Sequence, residues 1–188
     1  NPDVPAVEDR AYWTGRLADF YGCDTNAAGK ILDAYNDAGE VAPMLVRRFG
    51  ITEGNRQTLS LGMTLDQLVN PKRYNAITEL WESQAPPGER LDEYVRREAN
   101  KEPHVGETPA SVVADCLRFA SNAVALVKLA TPQITKNAAE FARLQNDMLS
   151  IQAMAEFYRD KTKAAEIALQ VANSGKVELI ELKVSPQR

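Results

Sequence analysis

The chain has 188 residues, is 44% hydrophobic and 26% charged, and carries a formal net charge of -4. That is an ordinary globular composition, long enough for one core or for a small lobe beside a larger helical one. An acidic balance, with a pI near 5.2, argues against a nucleic-acid partner, which needs a concentrated basic face, and no run reaches the roughly 18 apolar residues expected of a membrane span.

In chain order, helix signals dominate. Asn1-Pro2-Asp3-Val4-Pro5 reads as a linker, so the chain is expected to be a processed product or a piece of a larger protein. Pro5 suits a first helical turn, and Tyr12, Trp13, Leu17, Phe20 and Tyr21 then recur at helical spacing before Gly22. Thr25 or Asn26 is positioned to cap a second helix with Ala28, Ile31, Leu32 and Tyr35, ending at Gly39. A short third helix is expected with Pro43 in its first turn, Met44, Leu45, Val46 and Phe49 on it and Gly50 after it. Between Ile51 and Met63 no period persists, and Gly54, Asn55, Ser60 and Gly62 are loop residues. Thr64 and Gln67 form a capping-box pattern for a helical turn through Val69. A modest helix around Tyr74, Ile77, Leu80 and Trp81 follows Pro71, and another is expected from Glu89 to Asn100, with Leu91, Tyr94 and Val95 inward.

Thr108-Pro109 is the clearest helix start, a cap residue followed by proline in the first turn. Val112, Val113, Cys116, Leu117, Ala120, Val124, Val127 and Leu129 hold a helical period until Thr131-Pro132. A second long helix is then expected from Gln133 to Ser174, on the order of 60 Å at the α-helical rise per residue. Its seam runs Ile134, Ala138, Phe141, Leu144, Met148, Ile151, Ala155, Tyr158, Thr162, Ala165, Leu169 and Ala172. The short turn makes these two helices antiparallel neighbours. Residues 177–184 alternate apolar and charged, as a short strand or a frayed helix. The fold class is therefore all-α: one helical domain over residues 1–188, with shorter helices and a polar loop in 1–102 and the long pair and tail in 103–188.

Chemistry is sparse. The two cysteines, Cys23 and Cys116, form no disulfide framework, and whether they pair is open; Cys116 sits in an apolar stripe. The one histidine, His104, makes a typical zinc site unavailable, so no metal and no cofactor are expected; it is a loop residue before a helix cap, or an acid, base or ligand contact. Arg47-Arg48 and Lys72-Arg73 read as solvated helix ends. Glu156 with Arg159 and Asp160 with Lys163 read as exposed pairs contributing a few tenths of a kcal/mol each. No catalytic residue is assigned. The stretch that gathers amide, guanidinium and aromatic groups outside regular helix is Glu53, Asn55, Arg56 and Gln57, followed by Arg73, Tyr74 and Trp81. Flat rings beside bidentate polar groups suit a sugar. The bland alternative is that these residues make turns, ion pairs and core.

Several segments together resemble large bacterial glycoside hydrolase and carbohydrate-active multidomain proteins. They are Lys30 to Tyr35, Gly39 to Pro43, Arg47 to Leu59, Gln67 to Pro71, Pro103 to Pro109 and Glu156 to Ala165. The resemblance covers most of the chain without touching a catalytic signature. It implies a helical region of an exported (periplasmic or extracellular) polysaccharide-processing protein. The expected role is an accessory domain, not catalytic in isolation, that supports or completes a carbohydrate site. Its expected partners are neighbouring domains and an oligo- or polysaccharide. A stand-alone carbohydrate-binding or protein-interaction module is the alternative.

Overall fold

A computed structural model describes residues 6–49, 64–69 and 86–174. Helices α1 (Ala6–Tyr21), α2 (Thr25–Phe49), α3 (Leu65–Val69), α4 (Leu91–Asn100), α5 (Pro109–Ala130) and α6 (Ala138–Ser174) account for nearly all of it. Among the described residues there is no strand, only an isolated bridge between Gly88 and Glu107. The all-α class follows.

Three long helices form the frame, and the spacing of their buried residues explains why. In α2 the buried positions include Ala27, Ile31, Ala34, Ala38, Val41, Leu45 and Arg48; in α5, Pro109, Val113, Cys116, Ala120, Ala123, Val127 and Ala130. In α6 they include Phe141, Leu144, Met148, Ala155, Tyr158, Thr162, Ala165 and Leu169, with Ile151 half-buried. Steps of three and four alternate, the heptad spacing that keeps one seam facing a partner. Many seam residues are alanine, so α5 packs closely on α2. Cys116 Sγ lies 3.7 Å from the Val41 carbonyl oxygen, and Asn122 donates to Asp37, so α2 and α5 are antiparallel. Gln145 bonded to Thr131 and Gln152 to Ser121 set α6 antiparallel to α5.

The long α5–α6 pair is present as expected, but it has a third equal. α2 is continuous where the sequence suggested two helices, passing through Gly39 and Pro43. Pro43 removes one backbone donor. Burial of Val41, Met44, Leu45 and Phe49 on either side of it outweighs that local loss. The cap of α2 is Asp24, whose Oδ1 accepts from the Ala27 amide at 2.7 Å, rather than Thr25 or Asn26.

α6 begins at Ala138, five residues later than the expected Gln133. Residues 134–137 are engaged elsewhere. The Thr135 and Lys136 amides donate to the Tyr21 carbonyl at 3.1 and 2.9 Å, and Asn137 Nδ2 donates to the Phe20 carbonyl at 2.8 Å. They satisfy the carbonyls that end α1, where Gly22 turns the chain at φ +63°. Ala138, at the start of α6, is exposed instead of inward, and so are Ala172 near its end and Leu129 on α5.

Other expectations meet the structure unevenly. Thr108 caps α5 as foreseen, exchanging bonds with Ser111 at 3.0 Å. Both cysteines are free thiols; Cys116 is fully buried, and burial pushes its pKa up to about 12. On α1 Leu17 and Tyr21 turn inward, while Tyr12, Trp13 and Phe20 are about half exposed. Pro109–Gln133 does have the length and apolarity of a membrane-crossing helix, and here it lies between α2 and α6. Pro5, the 51–63 stretch, the helix around Tyr74 and Trp81, and the 177–184 tail lie outside the described residues.

The continuity of α2 makes a prediction. Pro43→Ala restores the donor to the Gly39 carbonyl on an exposed position, so it stabilises the protein by about 1–3 kcal/mol. Urea unfolding measures this; a loss of stability would show that α2 needs the proline.

Candidate functional site around His104

Two loops meet at the C-terminal end of α2. One, residues 86–90, precedes α4; the other, residues 101–108, joins α4 to α5. They are pinned together by backbone bonds from the Glu89 amide to the Glu107 carbonyl at 2.8 Å and from the Glu107 amide to the Pro87 carbonyl at 2.9 Å. Gly106 permits this approach: its φ is +70°, and a Cβ there would collide with the Pro87 carbonyl.

Glu107 holds the arginines that end α2. Arg47 reaches it through Nε at 3.1 Å and Nη2 at 2.6 Å, and Arg48 through Nη2 at 2.7 Å. The Arg48 side chain is wholly out of water. Its guanidinium lies over Gly88, where any Cβ would overlap it. These arginines are therefore not the solvated helix end that the sequence suggested. Burial alone would raise the Glu107 pKa, but hydrogen bonds from Arg47 and Arg48, with their charges, hold it below the ordinary carboxylate value.

A second cluster adjoins the first. Glu89 is 3% exposed; its Oε1 accepts from the Val105 amide at 2.7 Å and lies 3.2 Å from Arg97 Nε. Its Oε2 meets His104 Nδ1 at 2.9 Å, and His104 Nε2 meets Glu98 Oε1 at 2.6 Å. Tyr94 stacks on the imidazole at 5.0 Å between centroids. Hydrogen bonds to Glu89 and then Glu98 raise the His104 pKa above its ordinary value. Arg97 also donates to the Pro103 carbonyl at 3.0 Å.

Chemically, this arrangement ties parts together. A carboxylate engages each nitrogen of His104, so neither nitrogen faces an open site. Among the described residues no group of acidic, cysteine or histidine side chains is arranged to hold a metal.

Of the residues singled out from sequence, His104 alone is described, and it sits in this network. Glu53, Asn55, Arg56, Gln57, Arg73, Tyr74 and Trp81 lie outside the described residues. Sequence reading missed Arg48, Glu89 and Glu107. The local signal was the pair of glycine-containing loops, Pro86-Pro87-Gly88 and His104-Val105-Gly106. Nothing local announces a pairing across about sixty residues. The exposed pairs on α6 also differ: Arg159 meets Asp160 at 2.8 Å and Lys163 meets Glu166 at 3.1 Å.

The His104 contacts fix a pH dependence. Because folding raises its pKa, protonated His104 stabilises the fold fully below the ordinary histidine value of about 6.5, and the contribution disappears as pH rises through the folded-state value. The melting-temperature margin of the wild type over His104→Gln should therefore hold level below about pH 6 and shrink as the pH rises above about 6.5. A margin independent of pH would contradict the bridging role.

No protein-family model matches the chain, and no curated protein matches it. Among solved structures it is similar to a GH138 enzyme targeting pectin rhamnogalacturonan II, at 42% identity and a TM-score of 0.82. The likeness covers 93% of this chain and 25% of that enzyme. The chain thus spans about a quarter of its solved relative and is similar to a helical region of a glycoside hydrolase.

Proposed function

We propose that the chain is a helical accessory domain of a larger polysaccharide-processing protein, one domain from 1 to 188, exported to where such glycans occur. The observation that carries this reading is the 42% identity along 93% of the chain to one quarter of a pectin-directed enzyme. At that identity the likeness extends beyond fold. The proposed substrate of the whole protein is a pectic polysaccharide of the rhamnogalacturonan II class.

The internal chemistry supports a supporting role. Glu89 and Glu107, the most buried carboxylates of the loop cluster, engage Arg97, His104, Arg47 and Arg48. Strongly paired carboxylates make poor proton donors and nucleophiles, whereas glycoside hydrolysis needs two that flank an open bond. The frame would hold the polar stretch of Glu53, Asn55, Arg56 and Gln57, with Arg73, Tyr74 and Trp81, against a sugar or a neighbouring domain.

Incubated with rhamnogalacturonan II oligosaccharides, the isolated 188-residue chain should release no sugar, and the longer polypeptide encoded by its gene should. Chromatography of the products measures both. Hydrolysis by the isolated chain would overturn the accessory reading.

A further inference from the structure

His104 stands between two carboxylates, Glu89 Oε2 at 2.9 Å from Nδ1 and Glu98 Oε1 at 2.6 Å from Nε2. A neutral imidazole has one N–H and one bare lone pair, so it donates to one carboxylate and not to both. The three groups together therefore hold a proton that neutral histidine between two carboxylates lacks. A carboxylic acid gives up its proton far more readily than an imidazolium, so the ring keeps it. The two arms of the bridge differ. Glu89 is buried, and its other oxygen is taken by the Val105 amide and Arg97. The Glu98 side chain is 52% exposed and reaches water by a rotation. Other charges around the bridge are engaged elsewhere: Glu102 with Arg96 and Asn100, Glu107 with Arg47 and Arg48 of α2, and Glu166 of α6 with Lys163. Burial raises the pKa of Tyr94, which stacks on the ring, and Glu98, Glu166 and Glu89 add to that. Glu89 and Glu98 are left to set the charge of the imidazole.

We propose that this bridge is a pH-sensitive latch, which ties the segment after α4 back to that helix while His104 is an imidazolium and opens at the Glu98 arm when the proton leaves. The latch stands apart from the accessory-domain reading. On deprotonation Nδ1 keeps its hydrogen for Glu89, because a buried carboxylate stripped of a donor is costly. The Nε2 lone pair then faces Glu98 Oε1, two acceptors at bonding distance, and Glu98 turns to water. The Lys101 and Glu102 amides, bonded to the Glu98 and Arg97 carbonyls at 3.2 and 2.9 Å, then hold the segment to α4 with one tie fewer.

With a single histidine in the chain, its ring nitrogen resonances report the latch directly. They are followed by NMR from about pH 5 to 10 in the wild type and in Glu98→Gln, together with amide exchange at Glu102 corrected for its intrinsic rate. In the wild type both nitrogens should carry hydrogen at about pH 7, and the neutral form reached at higher pH should keep its hydrogen on Nδ1. Protection of the Glu102 amide should fall by about threefold or more across the same midpoint. A glutamine at 98 accepts from the imidazolium through its oxygen and donates to the neutral ring through its nitrogen. In Glu98→Gln the midpoint should therefore move down and the protection stay level. A ring with one hydrogen at about pH 7 would overturn the proposal. So would a neutral form with its hydrogen on Nε2, or the same protection profile in both proteins.

Discussion

A fully buried guanidinium needs a carboxylate at hand, and the end of the bundle is built around that demand. Arg48 lies in the seam of α2 with its side chain out of water. An unpaired charge there would cost several kcal/mol. Glu107 bonds it and is shared with Arg47. To reach that position, Glu107 is held by the backbone bonds linking its loop to residues 87–89, a linkage that needs glycine at 106, while Gly88 leaves room for the Arg48 guanidinium. Glu89, placed by the same linkage, then organises Arg97 and His104. One buried charge thus accounts for the course of both loops and for the docking of α4 beside them.

The rest of the frame follows from heptad spacing. Three helices with alternating steps of three and four residues pack along narrow seams, and the alanines of α2 and α5 bring those helices close. The ion pairs of the loop cluster join elements of this same frame, which suits the supporting role proposed above.

The elements legible in the sequence were those set by local signals. Thr108-Pro109 announced α5, Thr131-Pro132 its end, and Glu89 to Asn100 the shorter helix before it. The misreadings arose where tertiary packing overrode those signals. Gly39 and Pro43 looked like breaks, yet the seam on both sides carries α2 through them. Ile134 and Ala138 continued the apolar period, but Thr135, Lys136 and Asn137 are tied to the carbonyls that end α1, with Asn137 at φ +51°. The loop cluster was least legible, because it depends on Glu107 meeting arginines some sixty residues earlier. His104 was named from sequence as a loop residue; its bridge between Glu89 and Glu98 is set by the turn of α4 and the approach of the two loops. The polar stretch from Glu53 to Trp81 remains a reading of residue types, since apart from Thr64 to Val69 it lies outside the described residues.

The account turns on the coupling between Arg48 and Glu107, which a double-mutant cycle isolates. Unfolding free energies of the wild type, Arg48→Met, Glu107→Gln and the double variant would be measured under one set of conditions. A coupling on the order of 2 kcal/mol, with the double variant far less damaged than the two single changes together, is the result expected of a buried pair. Simple additivity would contradict it, and with it the claim that this charge organises the loops.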